Sequence, residues 1–323
     1  MRSACLRPIL VWFAFAAGPA LAQAQVEFPR TTPRILVPFA PGGAPDIIAR
    51  TLAQKAAQGL GREIIVENRT GAGGNIAFEA AAKAPPDGHT ILMCTFGCAT
   101  NPFLFEKLAW QPRDFAPLML AGRVPNVLAV RPDLPVKSVG EFIAAAKAKP
   151  GGFSMASSGI GSASHLAGEM FRTMAGLEVL HVPYKGSTAA LPDLAAGRVD
   201  FMIVSAPEAL PFIRDARLHA LGSSSTKRAA SLPDLPTIAE AGLKGYAVTA
   251  WAMLVVPAET PPAVIQRLNR EFNVAVSDPD VRRRLEALSV EPGGGTPAEA
   301  AEFLQQQSQE WGQLIRARGI KAN

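Results

Sequence analysis

The sequence predicts an α/β protein built as two lobes around a central cleft and joined by a two-strand hinge. Three observations lead there. Short β-rich runs alternate with helical patterns along almost the whole chain, and the alternation comes as two successive series. A long apolar strand then returns before a helical tail. Alternation with short turns implies parallel sheets covered by helices on both faces. The returning strand packs the tail back onto the first series, so the chain crosses between lobes twice, near 123–127 and 247–252. The expected division is a leader at 1–24, one lobe from 25–124 and 250–323, and the other from 125–249.

The elements follow in order. "RILVPF" (34–39) reads as a strand and 46–61 as an amphipathic helix closed by Gly61. "EIIVEN" (63–68) is a strand, 76–84 a short helix, and "HTILMCT" (89–95) a third strand. "FAPLMLA" and "NVLAVRP" read as two extended segments flanking Arg123, Val124 and Pro125. The second series has helices at 138–149, 162–176, 187–197 and 206–216, and strands at 153–158, 178–184, 199–205 and 218–224. A strand at 246–258 and helices at 261–277, 278–288 and 297–318 close the chain.

The first residues read as an export leader. Arg2 and Arg7 precede an apolar stretch from Pro8 to Ala17, then small residues with cleavage after Ala22 or Ala24. The apolar run is shorter than the roughly 20 residues a membrane span needs. The mature chain is therefore expected in the periplasm and soluble. Losing Arg2 and Arg7 lowers the formal charge from +5 to +3, too mild to argue for nucleic acid. Apolar residues at 48% and charged residues at 18% describe a globular chain, not a disordered one. Cys5 leaves with the leader. Cys94 and Cys98 remain, and their spacing leaves two readings open: a small disulfide loop, or two unlinked thiols.

Polar turns follow the strands at 41–46, 70–75, 95–101, 157–162, 184–188 and 205–207, nearly all feeding a helix N-terminus. In open α/β sheets ligands bind at the carboxyl ends of the strands. A helix start leaves unpaired N–H donors and roughly half a positive charge, so several aimed at one cleft make an anion site without an arginine. Each contributes about 0.3–1 kcal/mol when exposed, whereas a micromolar ligand needs about 8 kcal/mol, so several must act together. Taken singly, the glycine turns are ordinary βα connections. Asp46 reads as complementing a helix dipole, His165 as packed or solvated, and Trp251 as packing near the crossover. Lys185 either meets an anion or is solvated.

No catalytic constellation is present. There is no Gly-x-Ser-x-Gly elbow, phosphate-loop ending, dinucleotide fingerprint or metal-ligand spacing, so neither a cofactor nor a metal is expected.

The stretches "VPFAPGGAPDIIAR", "VENRTGAGGNIAFEAAAKAPPDGHTIL", "SSGIGSASHLAGEMF", "HVPYKGSTAALPDLAAGRVDFMI", "LPDLPTIAEAGL" and "GGTPAEAAEFL" carry a resemblance over essentially the whole mature chain. The chain resembles the Bug/TctC family, the extracytoplasmic solute-binding receptors of tripartite tricarboxylate transporters. The resemblance implies a periplasmic-binding-protein fold of type II-like form and a small mono- or dicarboxylate as ligand. It implies a carboxylate held near the first βα loop, often through bridging waters, with the second lobe closing over it. Carried onto this chain, the binding residues are Gly42, Gly43, Ala44 and Asp46, with Gly74 and Asn75 from the next loop. Ser158 and Ser162 come from the second lobe, and Thr95, Asn101, Tyr184 and Ser205 surround the pocket. Many members have a hydroxyl residue after the paired glycines; here Ala44 and Pro45 stand there, removing one side-chain contact. The expected partners are the carboxylate and the transporter's membrane subunits, with the receptor a monomer. The alternatives are a sensor for a membrane signalling partner and an exported hydrolase or lyase, which would need a nucleophile–base pair.

Overall fold

Strand β1 (Arg34–Val37) is buried from its second residue on, as a strand covered on both faces must be. Ile35 and Val37 pack toward one layer of helices while Leu36 packs toward the other. Helix α1 (Ala44–Leu60) follows, burying Ile48, Leu52, Ala56 and Leu60 at a spacing of four and ending at Gly61 with φ 69°. Then come β2 (Ile65–Asn68), α2 (Asn75–Ala82) and β3 (Thr90–Thr95), each close to its expected bounds. The computed structural model describes residues 28–228 and 232–320. The leader at 1–24 lies outside them.

Two expectations change at this point. The stretch after β3 is not a loop: helix α3 (Phe96–Leu104) starts directly on Thr95, so Asn101 is helical. Gly97 and Pro102 hide it from a propensity reading, yet both are accommodated within the helix. Cys94 and Cys98 are joined by a disulfide across the first turn of α3, with Cα atoms 5.9 Å apart. The second change is β4 (Phe115–Val130), one strand of 16 residues where two segments were expected. Its prolines suggest a break because they cannot donate to a ladder. Pro117 sits at a register shift, and Pro125 at the position where pairing with one neighbour ends.

The second series is α4 (Val139–Lys147), β5 (Ser154–Ser157), α5 (Ala163–Ala175), β6 (Leu180–Pro183), α6 (Ser187–Ala195), β7 (Phe201–Ser205), α7 (Ala206–Arg214) and β8 (His219–Ser223). The chain closes with β9 (Thr249–Pro257), α8 (Pro262–Ser277), α9 (Pro279–Glu286), β10 (Glu291–Gly294) and α10 (Pro297–Arg318). Strand β10 escapes a pattern reading because "EPGG" looks like a turn. Gly293 is needed there: a Cβ on it would lie 2.1 Å from the Leu120 carbonyl oxygen on β4.

The strand order is β2-β1-β3-β9-β4-β7-β5-β6, with β8 and β10 also paired to β4. The sheets are not wholly parallel. Parallel triplets β2-β1-β3 and β7-β5-β6 flank a central antiparallel pair, β4 and β9. Strand β3 runs antiparallel to β9, and β9 antiparallel to β4, so β3 and β4 point the same way. Strand β7 points the opposite way. Thr95, the last residue of β3, and Gly122 of β4 are both level with Ala252 of β9. Ser205, the last residue of β7, is level with Asn126 of β4. The two triplets therefore direct their carboxyl ends at each other across residues 122–126 of β4, about 13 Å at strand rise. One shared crevice follows from this register.

Candidate functional site

The crevice has an empty volume of about 680 Å³, part of it open to solvent, and lies where the carboxyl ends meet. Five helix starts reach it. Gly43, Ala44 and Pro45 open α1, and Thr95 and Phe96 open α3. Ser162, Ala163 and Ser164 open α5; Gly186, Ser187 and Thr188 open α6; Ser205 precedes α7. The first-turn amides of each helix have no intrahelical acceptor, and each start carries partial positive charge. Phe39, Ile48, Val124 and Trp251 supply apolar wall. Among the described residues, no arginine, lysine or histidine lines the cleft, and its one charged lining side chain is Glu208.

Of the residues expected at the site, Gly43, Ala44, Thr95, Ser158, Ser162 and Ser205 line the cleft together. The other six are elsewhere, and each has a structural task. Gly42 adopts φ 81° and donates its N–H to Asp46 Oδ2 at 3.0 Å, shaping the first turn. Asp46 is buried and bound by Arg50 Nε, Gly42 N and Asn68 Nδ2. Burial pushes its carboxyl up, but these hydrogen bonds outweigh burial and hold it below its ordinary value. The second turn does not reach the cleft. Gly74 lies against Phe78, and Asn75 Oδ1 accepts from Asn101 Nδ2 and Trp110 Nε1, both at 2.9 Å. Asn101 also donates to the Gly73 carbonyl at 3.1 Å, so it ties α3 to that turn. Tyr184 donates its hydroxyl to Asp193 Oδ2 at 2.9 Å and turns away from the cleft. Lys185 is exposed and does not line it.

Three lining residues went unnoticed or were read only as packing. Asn126 is the lone polar residue between Val124 and Val130, a signal that was available in the sequence. Glu208, in the first turn of α7, looks like an ordinary dipole partner in a linear reading. Trp251 both packs and lines: it lies against Phe96 and Phe303, and its Nε1 donates to Gln307 Oε1 at 3.1 Å.

Three lining polar atoms are buried with no hydrogen-bond partner among the described residues: Thr95 Oγ1, Asn126 Nδ2 and Ser205 Oγ. Buried polar atoms are normally paired, since leaving one unmade costs about 1–3 kcal/mol. These three sit on β3, β4 and β7, the strands that meet under the cleft. They form a polar floor suited to a ligand's second polar group.

Beside the cleft, the Gly161 N–H donates to His165 Nδ1 at 3.3 Å, and the His165 ring stacks on His181 at 4.5 Å. Burial, then the neighbouring His181, pushes the His165 imidazole down to about 4. Ser162 Oγ caps α5 by accepting from His165 N. His165 therefore organises the start of α5 as a neutral, packed ring. Among the described residues, no group of three or more His, Cys, Asp or Glu could hold a metal ion, and no helix is long and apolar enough to cross a membrane.

Comparison with known proteins gives a consistent result. The sequence profile of the tripartite tricarboxylate transporter family receptor matches residues 48–320. The chain is 40% identical, over 98% of its length and 96% of the relative's, to a UPF0065 protein in the tcbD-tcbE intergenic region of Pseudomonas sp. (strain P51). It is 34% identical to protein BugT of Bordetella pertussis over 96% of each chain. Among solved structures it is similar to R. palustris Rpa4515 with adipate, with a TM-score of 0.88 and 35% identity over 91% of this chain and 99% of that one. It is similar also to MatC (Rpa3494) from Rhodopseudomonas palustris with bound malate, with a TM-score of 0.85 and 33% identity over 89% of this chain and 100% of that one.

Proposed function

The chain belongs to the tripartite tricarboxylate transporter family of receptors, and on that premise we propose that it captures a small mono- or dicarboxylate in the periplasm and delivers it to the transporter's membrane subunits. The observation that carries this reading is the convergence of five helix starts, from both triplets, on one cleft that no cationic side chain among the described residues lines. Main-chain amides supply the anion's partners, the apolar wall takes the carbon skeleton, and the floor of Thr95, Asn126 and Ser205 takes a second polar group. The solved relatives named with adipate and with malate support a carboxylate as the ligand class.

The mechanism is cleft closure, favoured because the closed form gives the solute contacts from both sides. We place the lobe boundaries at 124/125 and 249/250. Pairing of β4 supports this: Pro125 is the last residue on β9 and Asn126 the first on β7. The leader at 1–24 is removed on export, and the receptor works as a monomer because both sides of the site lie in one chain.

Calorimetry against adipate, malate and a set of monocarboxylates, on protein stripped by unfolding and refolding, tests the reading. Binding of at least one acid near micromolar is expected, about 8 kcal/mol; no binding to any of them overturns it. Asn126→Ala is expected to weaken that binding about tenfold, the worth of one well-made hydrogen bond, with the melting temperature little changed. An unchanged affinity removes Asn126 from the floor.

A further inference from the structure

The turn that opens α1 is already engaged, by the protein itself. The amides of residues 42–45 are spoken for one by one. Gly42 N donates to Asp46 and Gly43 N to the Ala40 carbonyl, and Pro45 has no N–H. That leaves Ala44 N, which donates to Glu208 Oε1 at 2.9 Å. Glu208 belongs to α7, on the other side of the cleft from α1. Gly43 permits the approach, since a Cβ there would lie 3.0 Å from the same Glu208 oxygen. A carboxylate thus already bridges the two sides, at a helix start that would otherwise suit an anion.

We propose that Glu208 is a built-in carboxylate that sets the charge of the solute: it fills the α1 amide position that one end of a dicarboxylate would take, so the cleft accepts a solute with one carboxylate and an uncharged, hydrogen-bonding far end. This rests on the reading of the site as a carboxylate cleft.

Three features of the cleft agree. First, Glu208 is its one charged lining side chain among the described residues, and none of these lends a cation to offset a second carboxylate brought near it. Like charges a few ångströms apart in a partly dry site repel strongly. Second, the starts of α3, α5, α6 and α7 still face the cleft with first-turn amides, enough for a single carboxylate. Third, the orphaned floor is made of neutral groups, two hydroxyls and one amide N–H, which suit a carbonyl, amide or hydroxyl. Glu208 is a specificity-determining residue: it discriminates by repulsion against the wrong ligand as much as by attraction for the right one.

The test compares matched acids differing only in the far-end charge: adipate against its monoamide adipamate, and succinate against succinamate, at pH 7.5 by calorimetry. The wild-type chain is expected to bind the better monoamide at least about 30-fold more tightly than its diacid. Glu208→Gln keeps shape and hydrogen bonding but drops the charge, and is expected to narrow that ratio to about threefold or less. Glu208→Ala serves as a second variant, and both are checked by thermal melting. Equal or tighter binding of the diacid by wild type overturns the inference, and so does a monoamide preference that survives in both variants. Either result leaves the carboxylate reading standing. If no probe binds any of the three proteins the inference falls, and the carboxylate reading falls with it only if malate and the monocarboxylates also fail to bind. Adipate or succinate binding gained only by the variants supports the inference.

Discussion

Gly43→Val is expected to abolish solute binding, weakening it at least about 100-fold, while the variant stays folded. The backbone tolerates the change: Gly43 has φ −71° and ψ 159°, an extended conformation that valine favours. The side chain does not fit. Its Cβ would lie 3.0 Å from Glu208 Oε1 and 3.3 Å from the Ala40 carbonyl, and the two methyls would reach further into the cleft. Glu208 must shift to make room, which weakens its bond to Ala44 N, and the valine methyls hold the two sides apart at this turn. Calorimetry with the best acid of the panel, paired with a thermal melt, separates a lost site from a lost fold. Retained affinity in a folded Gly43→Val protein removes the first turn from the site.

Acidification is expected to destabilise the chain through His165. The folded imidazole is held at about 4 by burial and by His181, against an ordinary value of 6.5. A depressed folded value means that protons bind the unfolded chain more readily. The contribution of neutral His165 is therefore complete above pH 6.5 and is lost as pH falls toward 4. Between pH 7.5 and 5, where carboxylates remain ionised, the loss amounts to about 2 kcal/mol. His181 lies in contact and is also lowered by burial, so it adds in the same direction. Glu169 and Arg172, a bonded pair on the same helix, oppose each other at His165. Guanidinium titrations at the two pH values measure the loss, and His165→Asn, which keeps an acceptor for Gly161 N, should show a shallower dependence. An unchanged slope in that variant would assign the acid sensitivity elsewhere.

The sequence disclosed what depends on local pattern and withheld what depends on pairing. Alternation of period and glycine stops placed α1, the elements of the second series and the tail helices close to their observed bounds. The parallel sheets expected from the alternation hold only for the two triplets; β4 and β9 run antiparallel to their neighbours, because strand direction is set by partners that a linear pattern does not name. Proline and glycine misled for the same reason. Pro125 looks like a break until the neighbour it no longer needs is visible, and Gly293 looks like a turn until Leu120 is seen against it. At the site, helix starts were legible as turns rich in glycine and hydroxyl residues, so Gly43, Ser162 and Ser205 could be named. Asn75, Asn101 and Tyr184 could not be sorted from them, since an amide or phenol that ties the scaffold together has the same sequence appearance as one that meets a ligand. Glu208 was hidden most deeply. Its partner, Ala44 N, lies 164 residues away in the chain.

The opposed carboxyl ends of the two triplets have a further consequence. The attraction this cleft offers an anion comes from peptide bonds locked in helices, and peptide bonds do not take up or release protons in the range where side chains do. Its grip is proton-indifferent, in contrast to a grip built on histidine or lysine. Acid reaches capture through the integrity of the scaffold, not through the amides that hold the solute.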